Sequence, residues 1–244
     1  MRARPPPPGG VAVFNFSDLI DDYLKREEKR FPPDEIHPHE IGSCLRHTYY
    51  KRLIPKPVPK DRLRLFKAGD FAHYFIRAVL RSSSRVELVG WERPFELDYG
   101  DFKIAGRLDD LITVRLAGER LPIVIEVKSV GGRSVDFIRE PKLHHVYQIH
   151  PYLRAADARL GVIWYVARQT FADKWFSVFY DQRVMDEVIV RARLLHQYLS
   201  EGRLPPPEGR NSRSMRWLCW FCPWWKECQA DFNPRPAGGG ADGG

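Results

Sequence analysis

No run of eighteen or more apolar residues occurs in this 244-residue sequence, so no segment has the length of a membrane-crossing helix. Met1 to Gly10 is rich in proline and glycine, where a secretion signal needs an apolar stretch. A soluble, cytoplasmic protein with no membrane partner is the expectation. No internal repeat is evident either. Residues 1–12 and 233–244 lack the apolar content to pack and read as disordered tails. Acidic residues are scarce between Cys44 and Arg85, where Asp61 and Asp70 face eleven lysines and arginines. Cysteine is scarce throughout: Cys44 stands alone, and Cys219, Cys222 and Cys228 sit together near the other end.

What remains suits one domain. With 43% hydrophobic residues, the span 13–232 can bury one substantial core. Phe16, Ile20 and Leu24 recur at helical spacing after the capping residues Asn15 and Ser17, predicting a helix to about Phe31, stopped by Pro32 and Pro33. A short helix over Glu40 to Leu53 and a longer one over Asp61 to Arg81 follow, joined by a stiff proline-rich linker. The region 13–85 is therefore expected to be helical.

Strand patterns take over at Val86–Leu97, Lys103–Leu116 and Leu121–Val130, an antiparallel meander punctuated by turn-formers. A helix near Tyr147–Leu160, a buried strand at Val162–Ala167, a strand at Trp175–Tyr180 and an amphipathic helix at Val184–Leu199 complete the span 86–200, with the cysteine segment 201–232 beyond. This order predicts an α/β fold, a mixed central sheet flanked by helices.

The charge of +8 favours a polyanionic partner, although an acidic membrane surface or plain solubility also fits it. The basic stretch, with Arg46, Lys51, Arg52, Arg62 and Arg64, reads as a phosphate-facing surface.

The chemistry concentrates in Gly106-Arg107-Leu108-Asp109 and Ile125-Glu126-Val127-Lys128. Strand alternation puts Glu126 and Lys128 on one face and Ile125 and Val127 on the other. Two charges at the end of an apolar strand are costly to bury unless the carboxylate binds a cation and the amine meets an anion. Asp109, across the hairpin, makes a pair of oxygen ligands suited to Mg²⁺ or Mn²⁺, which polarises a phosphate oxygen and acidifies water. Lys128 would orient that water or stabilise developing charge. Asp110, by the same alternation, faces away. The plain alternative is a surface hairpin with ordinary charges, and His73, Gln148 and Tyr152 taken singly also read as structural residues on helices.

Taken in order, Gly69-x-x-x-His73, Gly106-x-x-Asp109, Glu126-x-Lys128 and Gln148-x-x-x-Tyr152 resemble the motifs of the RecB-like branch of the PD-(D/E)XK nucleases, over residues 40–230. The resemblance implies a restriction-endonuclease-like fold, metal ligation by His73, Asp109, Glu126 and the Val127 carbonyl, catalysis by Lys128, and Gln148 and Tyr152 positioning substrate or Lys128. Pro151 departs from that pattern. It lacks an amide and fits a helix only in the first turn, so the helix is expected to start near Gln148 or His150.

The one-plus-three cysteine split, wrapped by Trp217, Trp220, Trp224 and Trp225, points to a metal site rather than a cytosolic disulfide. Buried free thiols, zinc and an iron–sulfur cluster all remain open on spacing alone. Ile41 to Tyr50 resembles the first cysteine region of iron–sulfur nucleases, including the CRISPR-associated nuclease of the fourth Cas type, with AddB-type domains sharing the plan. That resemblance implies a [4Fe–4S] cluster on Cys44, Cys219, Cys222 and Cys228, acting as a staple between the two ends of the domain. It also implies a single-stranded DNA exonuclease, with endonuclease action as an addition, that trims pre-spacer overhangs beside the CRISPR integrase. The alternatives are a phage or repair exonuclease with the same chemistry, and a non-catalytic DNA-binding assembly subunit.

Overall fold

The computed structural model describes residues 15–25, 31–213 and 215–230. The two expected tails, 1–12 and 233–244, lie outside them. Helix α1 (Phe16–Leu24) starts where expected, with Asn15 accepting the Ser17 amide at 3.1 Å. It ends at Leu24, before the prolines, with Lys25 in extended conformation. The expected helix over Glu40–Leu53 is two: α2 (Pro38–Ile41) and α3 (Leu45–Leu53), interrupted at Gly42 to Cys44. Arg191 explains the break, because it binds the carbonyls of Ile41 and Ser43 at 2.8 and 2.9 Å and so withdraws them from helical pairing.

Helix α4 (Lys60–Ser82) precedes the meander β2 (Glu87–Asp98), β3 (Lys103–Leu116) and β4 (Glu119–Val130). Helix α5 (Leu143–Ala155), β5 (Leu160–Ala167), β6 (Asp173–Phe179) and α6 (Gln182–Ser200) follow, then α7 (Glu208–Asn211), α8 (Arg216–Trp220) and α9 (Trp225–Ala230). The sequence pattern missed the short pieces: strand β1 (Glu35–Ile36), a 3-10 turn at Gly132–Phe137 and the helices α7, α8 and α9 of the cysteine segment. None is long enough to show a period.

Among the described residues the strands form one six-stranded mixed sheet. The meander is antiparallel as expected, β4 and β5 run parallel, and β6 closes the edge antiparallel to β5. Long β3 pairs with β2 along one side; on its other side it meets β1 at Lys103 and Ile104 and β4 from Asp110 onward.

Alternation along β4 divides the core. Ile123, Ile125 and Val127 pack with Ala72, Ile76 and Leu80 of α4, while Val124 packs with Ile149 and Leu153 of α5. Helix α6 buries Met185, Val188, Ala192, Leu195 and Leu199, a stripe at helical spacing, against β1, α2 and α3. The expected α/β architecture, a mixed sheet between helical layers, is the architecture found. No described helix is long and apolar enough to cross a membrane.

Candidate active site

The β3–β4 ladder stops at the pair Asp110–Ile125. One residue further, the strands part, and the Asp109 carboxylate accepts the Val127 backbone amide at 2.9 Å. That contact places Asp109 beside Glu126. Asp110 takes the other face, as alternation requires, and receives Arg77 Nε of α4 at 2.8 Å with no exposure to solvent. Sequence reasoning named Asp110 only to set it aside and did not find Arg77.

His73 Nδ1 stands 3.4 Å from Asp109 Oδ2. Gly69, one turn earlier, faces β4 closely, since a Cβ there would lie 2.9 Å from the Ser129 Oγ. Burial holds the His73 imidazole below its ordinary pKa, despite the pull of Glu126.

Across the sheet, α5 supplies the remaining contacts. Gln148 Nε2 donates to Glu126 Oε1 at 2.8 Å, Gln148 Oε1 accepts from Lys128 Nζ at 2.7 Å, and Lys128 Nζ itself lies 2.5 Å from Glu126 Oε1. Gln148 Nε2 also donates to the Tyr152 hydroxyl at 3.2 Å. His73, Asp109, Glu126, Lys128, Gln148 and Tyr152, named from the sequence across eighty positions, are therefore one cluster. The helix start is corrected: α5 begins at Leu143 and Pro151 lies inside it. His150 Nδ1 contacts the Val146 carbonyl at 2.7 Å within the same turn, and Gln148 and Tyr152 keep their common face.

Electrostatically the site is unbalanced. Burial pushes Asp109 up to about 6, with Lys128 and the Val127 amide opposing. Burial, then the charge of Asp109, pushes Glu126 up to about 7 although Lys128 is adjacent. Glu126 is 1% exposed, and its Oε2 has no hydrogen-bond partner. A buried carboxylate oxygen left unpaired beside a second carboxylate calls for a cation. Among the described residues no three His, Cys, Asp or Glu side chains stand in finished metal-binding geometry. The orphaned oxygen and the donor set of two carboxylates and one neutral imidazole nevertheless fit a hard divalent ion. Val127 meets this cluster through its amide.

The four cysteines come together from opposite ends of the chain. All are free thiols and line one cavity of about 130 Å³. Burial raises Cys222 to about 11, and burial, then the neighbouring Cys44 and Cys228, raise Cys219. Gly209 backs the cavity, where a Cβ would stand 3.0 Å from Cys219 Sγ. Four free thiols lining one cavity fit a thiolate-bound metal group. Of the tryptophans expected to wrap them, Trp224 is buried and donates to the Ile54 carbonyl at 2.9 Å, whereas Trp220 is 78% exposed.

The basic surface loses two of its five expected members. Arg46 is buried against the cysteine cavity, with Nε 2.6 Å from the Pro205 carbonyl and a terminal nitrogen 3.8 Å from Cys228 Sγ. Arg52 is turned inward onto Glu40, at 2.9 Å. Lys51, Arg62 and Arg64 are exposed, and Arg64 pairs with Asp21 of α1 at 2.8 Å.

No protein-family model and no curated protein matches this sequence. Among solved structures, SSO0001 in its crystal structure aligns with a TM-score of 0.56 at 19% identity, covering 88% of this chain and 94% of that one. A phage-related exonuclease from Haemophilus somnus aligns with a TM-score of 0.46 at 9% identity, over 75% of this chain and 97% of its own. An alkaline exonuclease from Laribacter hongkongensis gives 0.45 at 11%, over 82% and 95%. At these identities the likeness to SSO0001 is one of fold.

Proposed function

We propose that the chain is a metal-dependent deoxyribonuclease acting on single-stranded DNA or overhangs, with Asp109, Glu126 and His73 holding Mn²⁺ or Mg²⁺, the Val127 carbonyl as a further ligand, and Lys128 as the catalytic amine. The observation that carries this reading is Glu126, buried and short of one partner, with Lys128 and Gln148 on its other oxygen. A divalent ion at the acidic pair supplies Lewis-acid polarisation of the phosphoryl oxygen.

The chain's own groups do the rest. Lys128, held between Glu126 and Gln148, presents a positive charge to the oxygen that gains negative charge as water attacks phosphorus in line. The P–O3′ bond breaks, leaving a 5′-phosphate and a 3′-hydroxyl. Gln148 fixes the direction of the ammonium, and Tyr152 fixes Gln148. Exposed Lys51, Arg62 and Arg64 are suited to phosphates along the strand.

The thiol cavity belongs to the same reading. Cys44, Cys219, Cys222 and Cys228 would hold a [4Fe–4S] cluster as a structural staple, and the resemblance in sequence to the fourth Cas type suggests pre-spacer trimming beside a CRISPR integrase as the setting. Iron and acid-labile sulfide in freshly purified protein test the cluster; zinc in their place refutes it.

Cleavage of an end-labelled oligonucleotide with Mn²⁺ tests the activity. Asp109→Ala and Glu126→Ala are expected to lower the rate by about 10³-fold while DNA binding persists. Unchanged cleavage in either variant refutes the site assignment. Wild-type binding without cleavage turns the reading into that of a DNA-binding subunit.

A further inference from the structure

Beyond the carboxylate site, the C-terminal helices enclose a second concavity that the proposed reaction does not use. A groove of about 390 Å³ is lined by Arg210, Asn211 and Arg216 together with Cys219, Trp220 and Trp225. It backs onto the cysteine cavity, because Arg210, Cys219 and Trp225 line both. Its wall holds two indoles, two guanidiniums and an amide, and no carboxylate. Trp220 and Trp225 are 78% and 42% exposed, an unusual outlay of aromatic surface to water. Arg210 Cζ lies 5.9 Å from the Trp225 ring centroid while a terminal nitrogen donates to the Cys228 carbonyl at 3.4 Å, so that indole is braced from behind.

The groove is linked to the carboxylate site. Helix α8 carries Trp217 one turn before Trp220, and Trp217 packs against α5 through His144, at 5.4 Å between ring centroids, and Lys142, whose Nζ is 5.4 Å from the indole. The next turn of α5 after His144 carries Gln148, which touches Lys128. The groove is thus joined to the catalytic amine through one turn of α8, the Trp217–His144 contact, one turn of α5 and the Gln148–Lys128 hydrogen bond.

We propose that this groove is a subsite for unpaired DNA, with a base stacked on Trp220 and Trp225 and a flanking phosphate paired with Arg216. An apolar partner would cover the indoles and offer the exposed Arg216 guanidinium no anion, whereas a nucleotide offers a flat ring and an anion together. The choice of DNA rests on the nuclease reading above; the groove does not depend on cleavage.

The test is fluorescence anisotropy of a labelled oligothymidylate with the full chain, in an Asp109→Asn background that stops turnover. Trp220→Ala is expected to weaken binding roughly tenfold and Trp220→Phe to restore most of it. Arg216→Gln is expected to weaken binding and lower the slope of log K against log salt by about 0.7. An abasic oligomer should bind the parent as weakly as the thymidylate binds Trp220→Ala. Both side chains are exposed, so melting temperature should hold in all variants. Parental affinity in Trp220→Ala and Arg216→Gln overturns the proposal, as does displacement by an acidic peptide at concentrations where oligonucleotides fail. If wild type cleaves and the groove variants bind normally, the groove alone is wrong. If binding follows Trp220 and nothing is cleaved, the nuclease reading is wrong and the groove stands.

Discussion

Asp109 Oδ2 accepts the Val127 amide at 2.9 Å across the point where β3 and β4 separate. The carboxylate occupies the position at which the next rung of the ladder would otherwise form. A backbone donor that would be unpaired at the fork is satisfied, and the same contact puts one acid beside another. The carboxylate cluster is thus a by-product of ending a ladder in the protein interior.

That arrangement predicts the behaviour of Asp109→Asn. An amide oxygen can still accept the Val127 amide, while one of two clashing charges is gone. The metal-free variant should melt a few degrees higher than wild type at pH 8, and Mn²⁺ should no longer stabilise it. Thermal scans with and without Mn²⁺ measure both.

Stability should also depend on pH in a defined sense. Asp109 and Glu126 titrate near 6 and 7 in the folded chain, above the usual 3.8 and 4.5. Their protonated forms favour folding, so this contribution is complete below about pH 4 and is lost as pH rises through 6 to 7. Metal-free protein should lose stability across that window. Added Mn²⁺ should raise the melting temperature more at pH 8 than at pH 5, with protons released on binding in calorimetry.

Gln148→Leu removes the group that holds Lys128 and Glu126 in register. With the fold intact by circular dichroism, kcat should fall by roughly 10²-fold with little change in KM. A rise in KM at constant kcat would mean that Gln148 holds substrate instead.

Arg77 and Asp110 form a buried ion pair behind the site, at 11% and 0% side-chain exposure. Arg77→Met leaves the carboxylate without its cation and should cost about 3–5 kcal/mol in urea unfolding. Adding Asp110→Asn should recover a large part of that loss.

Removal of the cluster proposed on the four thiols should loosen the join between the chain's two ends. Cys44 lies more than 170 positions from Cys219, so the link closes a long loop and its loss should lower the melting temperature. Chelated, cluster-free protein that melts as before would rule out a staple.

Local periodicity alone decided the order of the long helices and strands, the shared face of Glu126 and Lys128, and the opposite facing of Asp109 and Asp110, because alternation along an extended chain is set residue by residue. It could not set the start of α5. Leu143 to Val146 become helical through packing of His144 and His145 on Trp217 and Tyr165, and that packing also draws Pro151 inside the helix. Nor could the sequence distinguish cations that face solvent from those that do not: Arg46, Arg52 and Arg64 look alike in the chain, yet one meets a thiol, one a buried glutamate and one a surface aspartate. Those partners lie from 12 to 182 positions away. Only the packed tertiary structure chooses among such distant partners, because the energy of burying a charge depends on what surrounds it in space and not on its neighbours along the chain.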